Sequence, residues 1–233
     1  MDFANQVAIV TGAGGNLGAA ISRELASRGA KLVLVDQGAN ALARIEATLG
    51  DAELLLLGDV DLRKPEDTIR VVSEAVARFG RVDALANTVG TFQMGRIEEN
   101  AAEQWQMLMD LNALTALLIS KAALKAMSTR SYGRILHVAA GAGLKGGAGM
   151  SAYSASKAAL MRVCEALSEE ARALGVTANC ILPNTIDTPQ NREAMPDADT
   201  SSWVKPAAIA KVAAFLLSTD AGSVTGAAVP VTR

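Results

Sequence analysis

Short apolar, β-branched runs alternate along the chain with longer stretches in which apolar residues recur every three or four positions. The runs are QVAIV at 6–10, KLVLV at 31–35, AELLLL at 52–57, RVDALA at 81–86, GRILHV at 133–138, VTANCIL at 176–182 and AAVPV at 227–231. Bounded by turn residues, they predict buried strands, and the intervening periodicity predicts helices near 17–29, 39–49, 65–79, 100–129, 151–174 and 206–218. Such alternation implies parallel βαβ units. Right-handed crossovers then put helices on both faces, so the expected fold is α/β, a doubly wound Rossmann-type sheet of seven parallel strands.

No internal repeat or Pro/Gly-rich linker interrupts this pattern, and 233 residues suit a single core, so residues 1–233 are expected to form one domain. The aperiodic interval from Pro183 to Pro206 is the one long connection late in the chain, which makes 189–203 the expected substrate loop. Charge is nearly balanced, with 22 Lys+Arg against 24 Asp+Glu and no block of five like charges. Nucleic acid and anionic membrane are therefore poor partners. MDFANQVAIV has no basic segment followed by a long apolar one, and no apolar run approaches the ~18 residues of a membrane span. A cytoplasmic location is expected.

Cys164, Cys180 and the one histidine, His137, each lie in apolar-rich segments and read as structural. They are too few for a tetrahedral zinc site, so no metal is expected and acid–base chemistry must rest elsewhere.

TGAGGNLGAAISRELASRGA follows the first strand, and its glycines let backbone N–H groups approach a pyrophosphate at the start of a helix. The spacing is not G-x-G-x-x-G, because Leu17 stands at the third glycine position and Gly18 comes one residue late. The second strand ends at Asp36, eighteen residues after Gly18, near the separation expected of a carboxylate that accepts from an adenosine ribose 2′-OH. NAD(H) is thus preferred over NADP(H), whose 2′-phosphate would be repelled with no Lys or Arg in the turn to offset it. Capping of the helix near Ala39 is the competing role for Asp36. After the third strand, Asp59 and Val60 are candidates for the adenine edge.

Tyr153 and Lys157 lie four apart on a predicted helix and so face the same side. A nearby ammonium favours a phenolate, which would bring the phenol toward acid–base work near neutrality. A surface helix pair is the bland alternative.

With these pieces in order, the chain resembles the short-chain dehydrogenase/reductase family over nearly its whole length. The matching elements are TGAGGNLG at 11–18 (Gly12, Gly14, Asn16, Leu17, Gly18), Asp36, Asp59-Val60, NTVG at 87–90, Asn112, GRILHV, YSASK at 153–157 and PNTIDT at 183–188. The resemblance implies that Tyr153 is the acid/base, that Lys157 holds the nicotinamide ribose and lowers the tyrosine pKa, and that Asn112 steadies a proton-relay water. It also implies that Asn87 and Gly90 line the cofactor beside strand four, while Pro183, Ile186 and Thr188 meet the nicotinamide end. Relatives also pair helices across a two-fold axis, so the helices near 100–129 and 151–174 imply a homodimer or homotetramer.

Asn16 replaces a family glycine, acceptable because asparagine tolerates left-handed backbone. Thr88 and Val89 replace Asn-Ala, and Asn184 replaces a glycine. A larger departure is Ala140, which occupies the position of the family's usual serine, thirteen residues before Tyr153. Losing one donor to a developing oxyanion commonly costs ~10²–10³ in rate. Ser151 or Thr185 could substitute, catalysis could be impaired, or the substrate could develop little charge on oxygen. The C-terminal half, from GAGMSAYSASK through LPNTIDTPQNREAMPDADTSSW, resembles the dihydropteridine reductase branch, which also has alanine there. That resemblance implies a small activated substrate such as quinonoid dihydropterin, with Met195 and Trp203 lining its pocket. The alternatives are a ketone/alcohol or 3-oxoacyl reductase with a substituted donor, and a dinucleotide-binding sensor without catalysis.

Overall fold

The computed structural model describes residues 3–99 and 101–233. Seven strands form one sheet: β1 (Val7–Thr11), β2 (Lys31–Val35), β3 (Leu54–Leu57), β4 (Ala84–Asn87), β5 (Gly133–Val138), β6 (Val176–Pro183) and β7 (Ala228–Val231). All pairings are parallel, in the order β3-β2-β1-β4-β5-β6-β7. The order reverses between β1 and β4, and a ligand crevice is expected beyond the carboxyl ends of those two strands.

Among the described residues, eight α-helices fill the connections: α1 (Asn16–Ser27), α2 (Ala39–Glu46), α3 (Pro65–Phe79), α4 (Ala102–Met109), α5 (Thr115–Ser128), α6 (Ser151–Ala171), α7 (Pro189–Ala194) and α8 (Pro206–Leu217). Side chains alternate across each strand, which divides the core in two. Val7, Ile9, Leu85 and Ile135 pack with residues of α3, α5 and α6. Ala8, Val10, Ala84 and Leu136 pack against α1, α2 and α8. Local chemistry sets the helix limits: α3 opens on Pro65 with Glu66 and Asp67 in its first turn and stops at Gly80, φ 78°.

Two features depart from expectation. The helical stretch near 100–129 is continuous from Ala102 to Ser128 but contains a π turn at Asp110–Leu114. By length and composition this helix could cross a membrane, contrary to the reading of the apolar runs, and 44% of its most apolar window is buried in the fold. The interval Pro183–Pro206 is not wholly irregular, for it contains the short helix α7, opened by Thr188 and Pro189, and a 3-10 turn at Thr200–Ser202.

Candidate active site

The glycine turn occupies the mouth of the β1/β4 crevice. Gly12 adopts φ 65°, and a Cβ there would stand 2.8 Å from Thr88 Oγ1. A Cβ at Gly18 would fall 2.1 Å from the Gly12 carbonyl oxygen, so its role is close packing of α1 on the turn. The N-cap of α1 is Gly15, with no side chain to satisfy the first amides of the helix. Those amides and the dipole face the crevice as an anion-binding end.

The crevice encloses about 420 Å³ and is lined by Gly12, Gly14, Asp36, Val60, Asp61 and Thr88, among others. Asp36 Oδ2 accepts from the Gly14 amide at 2.9 Å, and Oδ1 accepts from the Gly38 amide at 3.1 Å. The carboxylate therefore braces the turn and touches the N-cap of α2 while keeping lone pairs for a ligand. Asp59 is exposed with φ 53° and is not among the lining residues; Asp61, which the motif reading missed, is. Thr88 donates to the Thr11 carbonyl at 2.7 Å and so supplies the tether between β4 and β1.

Asn87 stands inside the sheet. Its Oδ1 accepts from Thr11 Oγ1 at 2.5 Å, and its Nδ2 lies 3.3 Å from His137 Nδ1. With the amide as donor, His137 is the Nε2–H tautomer, which donates to Ser120 Oγ at 2.9 Å. Burial holds the fully enclosed imidazole down to about 4, and it is neutral. Cys164 and Cys180 are buried and unbridged, and the hydrogen bond that Cys164 donates to Cys180, together with burial, pushes the Cys164 thiol up. Among the described residues no three His, Cys, Asp or Glu side chains gather as a metal site.

At the nicotinamide end, Lys157, 5% exposed, donates from Nζ to the Val138 carbonyl at 2.9 Å. The Tyr153 ring centroid is 5.9 Å from that ammonium. Asn112, on the π turn, accepts from the Thr91 amide at 2.9 Å and donates to the Thr91 carbonyl and to Ser156 Oγ, each at 3.0 Å. This ties the loop after β4 to α6 one residue before Lys157; nothing in the motif pattern pointed to Ser156. A Cβ at Gly90 would meet Asn112 Oδ1 at 2.6 Å and Lys157 Nζ at 3.1 Å, so both side chains converge on that glycine at the crevice edge.

Burial opposes the expected lowering of the tyrosine pKa by Lys157. Burial dominates and pushes the Tyr153 phenol up to about 12, while burial also draws the Lys157 ammonium down to about 8. At neutrality the site thus presents a protonated phenol beside a charged ammonium.

The remaining candidates are distributed around this centre. Ala140 is in extended backbone at the end of β5, and it brings no hydroxyl. Ser151 opens α6, and the exposed Thr185 accepts from the Val204 amide at 2.9 Å through its carbonyl. Pro183 is buried at the end of β6, and Ile186 bridges to Val204. Thr188, 8% exposed, caps α7 by accepting from the Asn191 amide. Asn16 and the half-buried Leu17 begin α1, and Asn16 Nδ2 donates to Gln190 Oε1 of α7 at 2.7 Å. Met195 is 40% exposed, whereas Trp203 keeps only 5% and packs as a core residue. Phe92, absent from the motif reading, sets its ring edge-on to Tyr153 at a centroid distance of 4.8 Å.

Comparison with known proteins agrees with this geometry. Residues 6–199 match the family model described as short chain dehydrogenase. The 3-oxoacyl-[acyl-carrier-protein] reductase FabG of Escherichia coli K12 is 31% identical over 235 residues, covering 97% of this chain and 95% of that protein. The 2-(S)-hydroxypropyl-CoM dehydrogenase 3 of Xanthobacter autotrophicus is 30% identical over 242 residues, with the same coverage of 97% and 95%. Among solved structures, levodione reductase superposes with a TM-score of 0.92 at 28% identity, covering 98% of this chain and 96% of that one. NAD+-bound xylitol dehydrogenase superposes with a TM-score of 0.92 at 26% identity, covering 100% and 99%.

Proposed function

The chain belongs to the short-chain dehydrogenase family of oxidoreductases, and on that premise we propose that it interconverts a small carbonyl compound and its alcohol with NAD(H), using Tyr153 as acid/base. The observation that carries the reading is the convergence of Lys157 and Asn112 on Gly90, at the edge of the crevice that Asp36 and the glycine turn line.

When bound, the nicotinamide dinucleotide supplies or accepts the hydride. Tyr153, protonated at neutrality, donates its phenolic proton to the substrate oxygen in reduction and must lose it to act as base in oxidation. Lys157, anchored to the Val138 carbonyl, retains two N–H donors for a ribose diol and places a positive charge near the phenol. Asp36 selects against a 2′-phosphate by charge. Asn112 holds the loop after β4 and α6 in register, which fixes Lys157.

Similarity to a 3-oxoacyl reductase and a hydroxypropyl-CoM dehydrogenase favours carbonyl/alcohol substrates. A quinonoid dihydropterin rests on the C-terminal motifs alone, and a sensor without catalysis would leave Tyr153 and Lys157 without a role. A homodimer or homotetramer built on α5 and α6, and a cytoplasmic location, belong to the same reading. The test is NADH oxidation by the purified protein with small ketones, acetoacetyl thioesters and quinonoid dihydropterin, each repeated with Tyr153→Phe. Turnover of a ketone or thioester that the variant loses supports the reading. Turnover unchanged in the variant, or confined to the pterin, rejects it.

A further inference from the structure

Resting on the oxidoreductase reading above, we propose that Phe92 is a specificity-determining residue and that the substrate is an uncharged carbonyl compound bearing a ring or branched hydrocarbon group beside the reacting carbon. Phe92 lies on the loop after β4 and is 55% exposed although its ring stands perpendicular to the Tyr153 ring, 90° between planes. Keeping a large aromatic side chain half in water costs hydrophobic free energy that burial against a ligand would recover.

Its surroundings extend the same character. The Gly95 amide donates to the Gly149 carbonyl at 2.9 Å, joining the Phe92 loop to the loop that leads into α6. Met94, 59% exposed, lies where a Cβ at Gly149 would meet its methyl at 3.3 Å, and Gly95 forms a β-bridge with Met150. Phe92 and Met94 are thus two exposed apolar side chains on the loop whose Phe92 ring meets Tyr153. Methionine adapts to irregular hydrocarbon shapes, and an aromatic edge-to-face pair leaves the outer Phe92 face open for packing.

Charge does not offer an alternative grip on the phenol side. Arg96, on the same loop, is paired with Glu98, and the Lys157 ammonium is anchored to the Val138 carbonyl. Ala140 removes the hydroxyl that would give the carbonyl oxygen a second fixed point. Orientation then comes from packing of the hydrocarbon part against Phe92, with Tyr153 as a polar contact.

Binding to the NAD+-loaded protein, where a ketone cannot be reduced, tests this without turnover. Isothermal calorimetry would compare cyclohexanone with the anion acetoacetate, in the parent and in Phe92→Ala and Phe92→Leu. We expect cyclohexanone to bind about ten-fold more tightly than acetoacetate, and Phe92→Ala to weaken cyclohexanone about ten-fold with NAD+ affinity unchanged, as loss of an aromatic packing contact implies. Phe92→Leu should recover part of the loss. Equal affinity for the two probes, or a Phe92→Ala protein that binds cyclohexanone as well as the parent, overturns the inference while NAD+ binding leaves the oxidoreductase reading intact. Failure of the parent to bind NAD+ rejects that reading and this inference together.

Discussion

Tyr153 and His137 show how burial, more than proximity to charge, sets protonation in this site. The phenol is pushed up and the imidazole is held down for the same reason: each charged form would lose hydration. For His137 the unfolded chain binds a proton near pH 6.5 that the folded chain refuses until about pH 4. Stability therefore falls as pH drops through that window, by roughly 3 kcal/mol in all, and is unaffected by this group above it. As the chain has one histidine, its ring protons can be followed directly by NMR. They should show no titration down to pH 5, and a midpoint above 6 would mean that the Asn87–His137–Ser120 chain is open. Tyr153→Phe should lower kcat about 10²–10⁴-fold with the melting temperature nearly unchanged, checked by steady-state kinetics and calorimetry. Ala140→Ser should raise kcat for simple ketones, since the end of β5 would regain an oxyanion donor; no gain would show that the hydroxyl has no reach there.

Strand and helix order was legible because each buried run is bounded by turn chemistry and each amphipathic face repeats. The ends were less so: β4 begins at Ala84 instead of Arg81, because Asp83 turns inward to accept from the Val7 amide. The π turn was invisible, since Asp110–Leu114 has ordinary helical composition and its widened turn coincides with the Asn112 bridge to Thr91 and Ser156. Motif spacing brought out Tyr153, Lys157 and Asp36, whereas Phe92, Thr88 and Gln190 have no periodicity and acquire meaning through contacts across the fold. Helix α7 illustrates the second group. It is held to the glycine turn through Asn16 and Gln190 and to its own start by the Asp187–Arg192 pair. Gln190→Ala removes one exposed hydrogen bond, so NADH release, followed by stopped-flow fluorescence, should quicken about two- to ten-fold. An unchanged rate would show that α7 does not restrain the cofactor.

Across the chain, the two hydrophobic layers and the seven-strand order bring the glycine turn, Asp36, Thr88 and Gly90 to one crevice beyond the ends of β1, β2 and β4. Asp36 and the uncapped start of α1 share that crevice, and the proposed preference for NAD over NADP rests on where these charges stand. Calorimetric titration should give tighter binding of NAD by at least about ten-fold, and Asp36→Asn should narrow the gap.

The bond from Thr11 to Asn87 joins strands whose residues lie 76 positions apart, and the crevice opens along that seam. Closing so long a stretch of chain is an entropic cost met before any pairing rewards it, which makes this seam a late event in folding. A dinucleotide can recognise only chains in which the seam has formed. NAD+ should therefore slow unfolding and raise the melting temperature through mass action, while leaving the rate at which denatured chains refold unaltered.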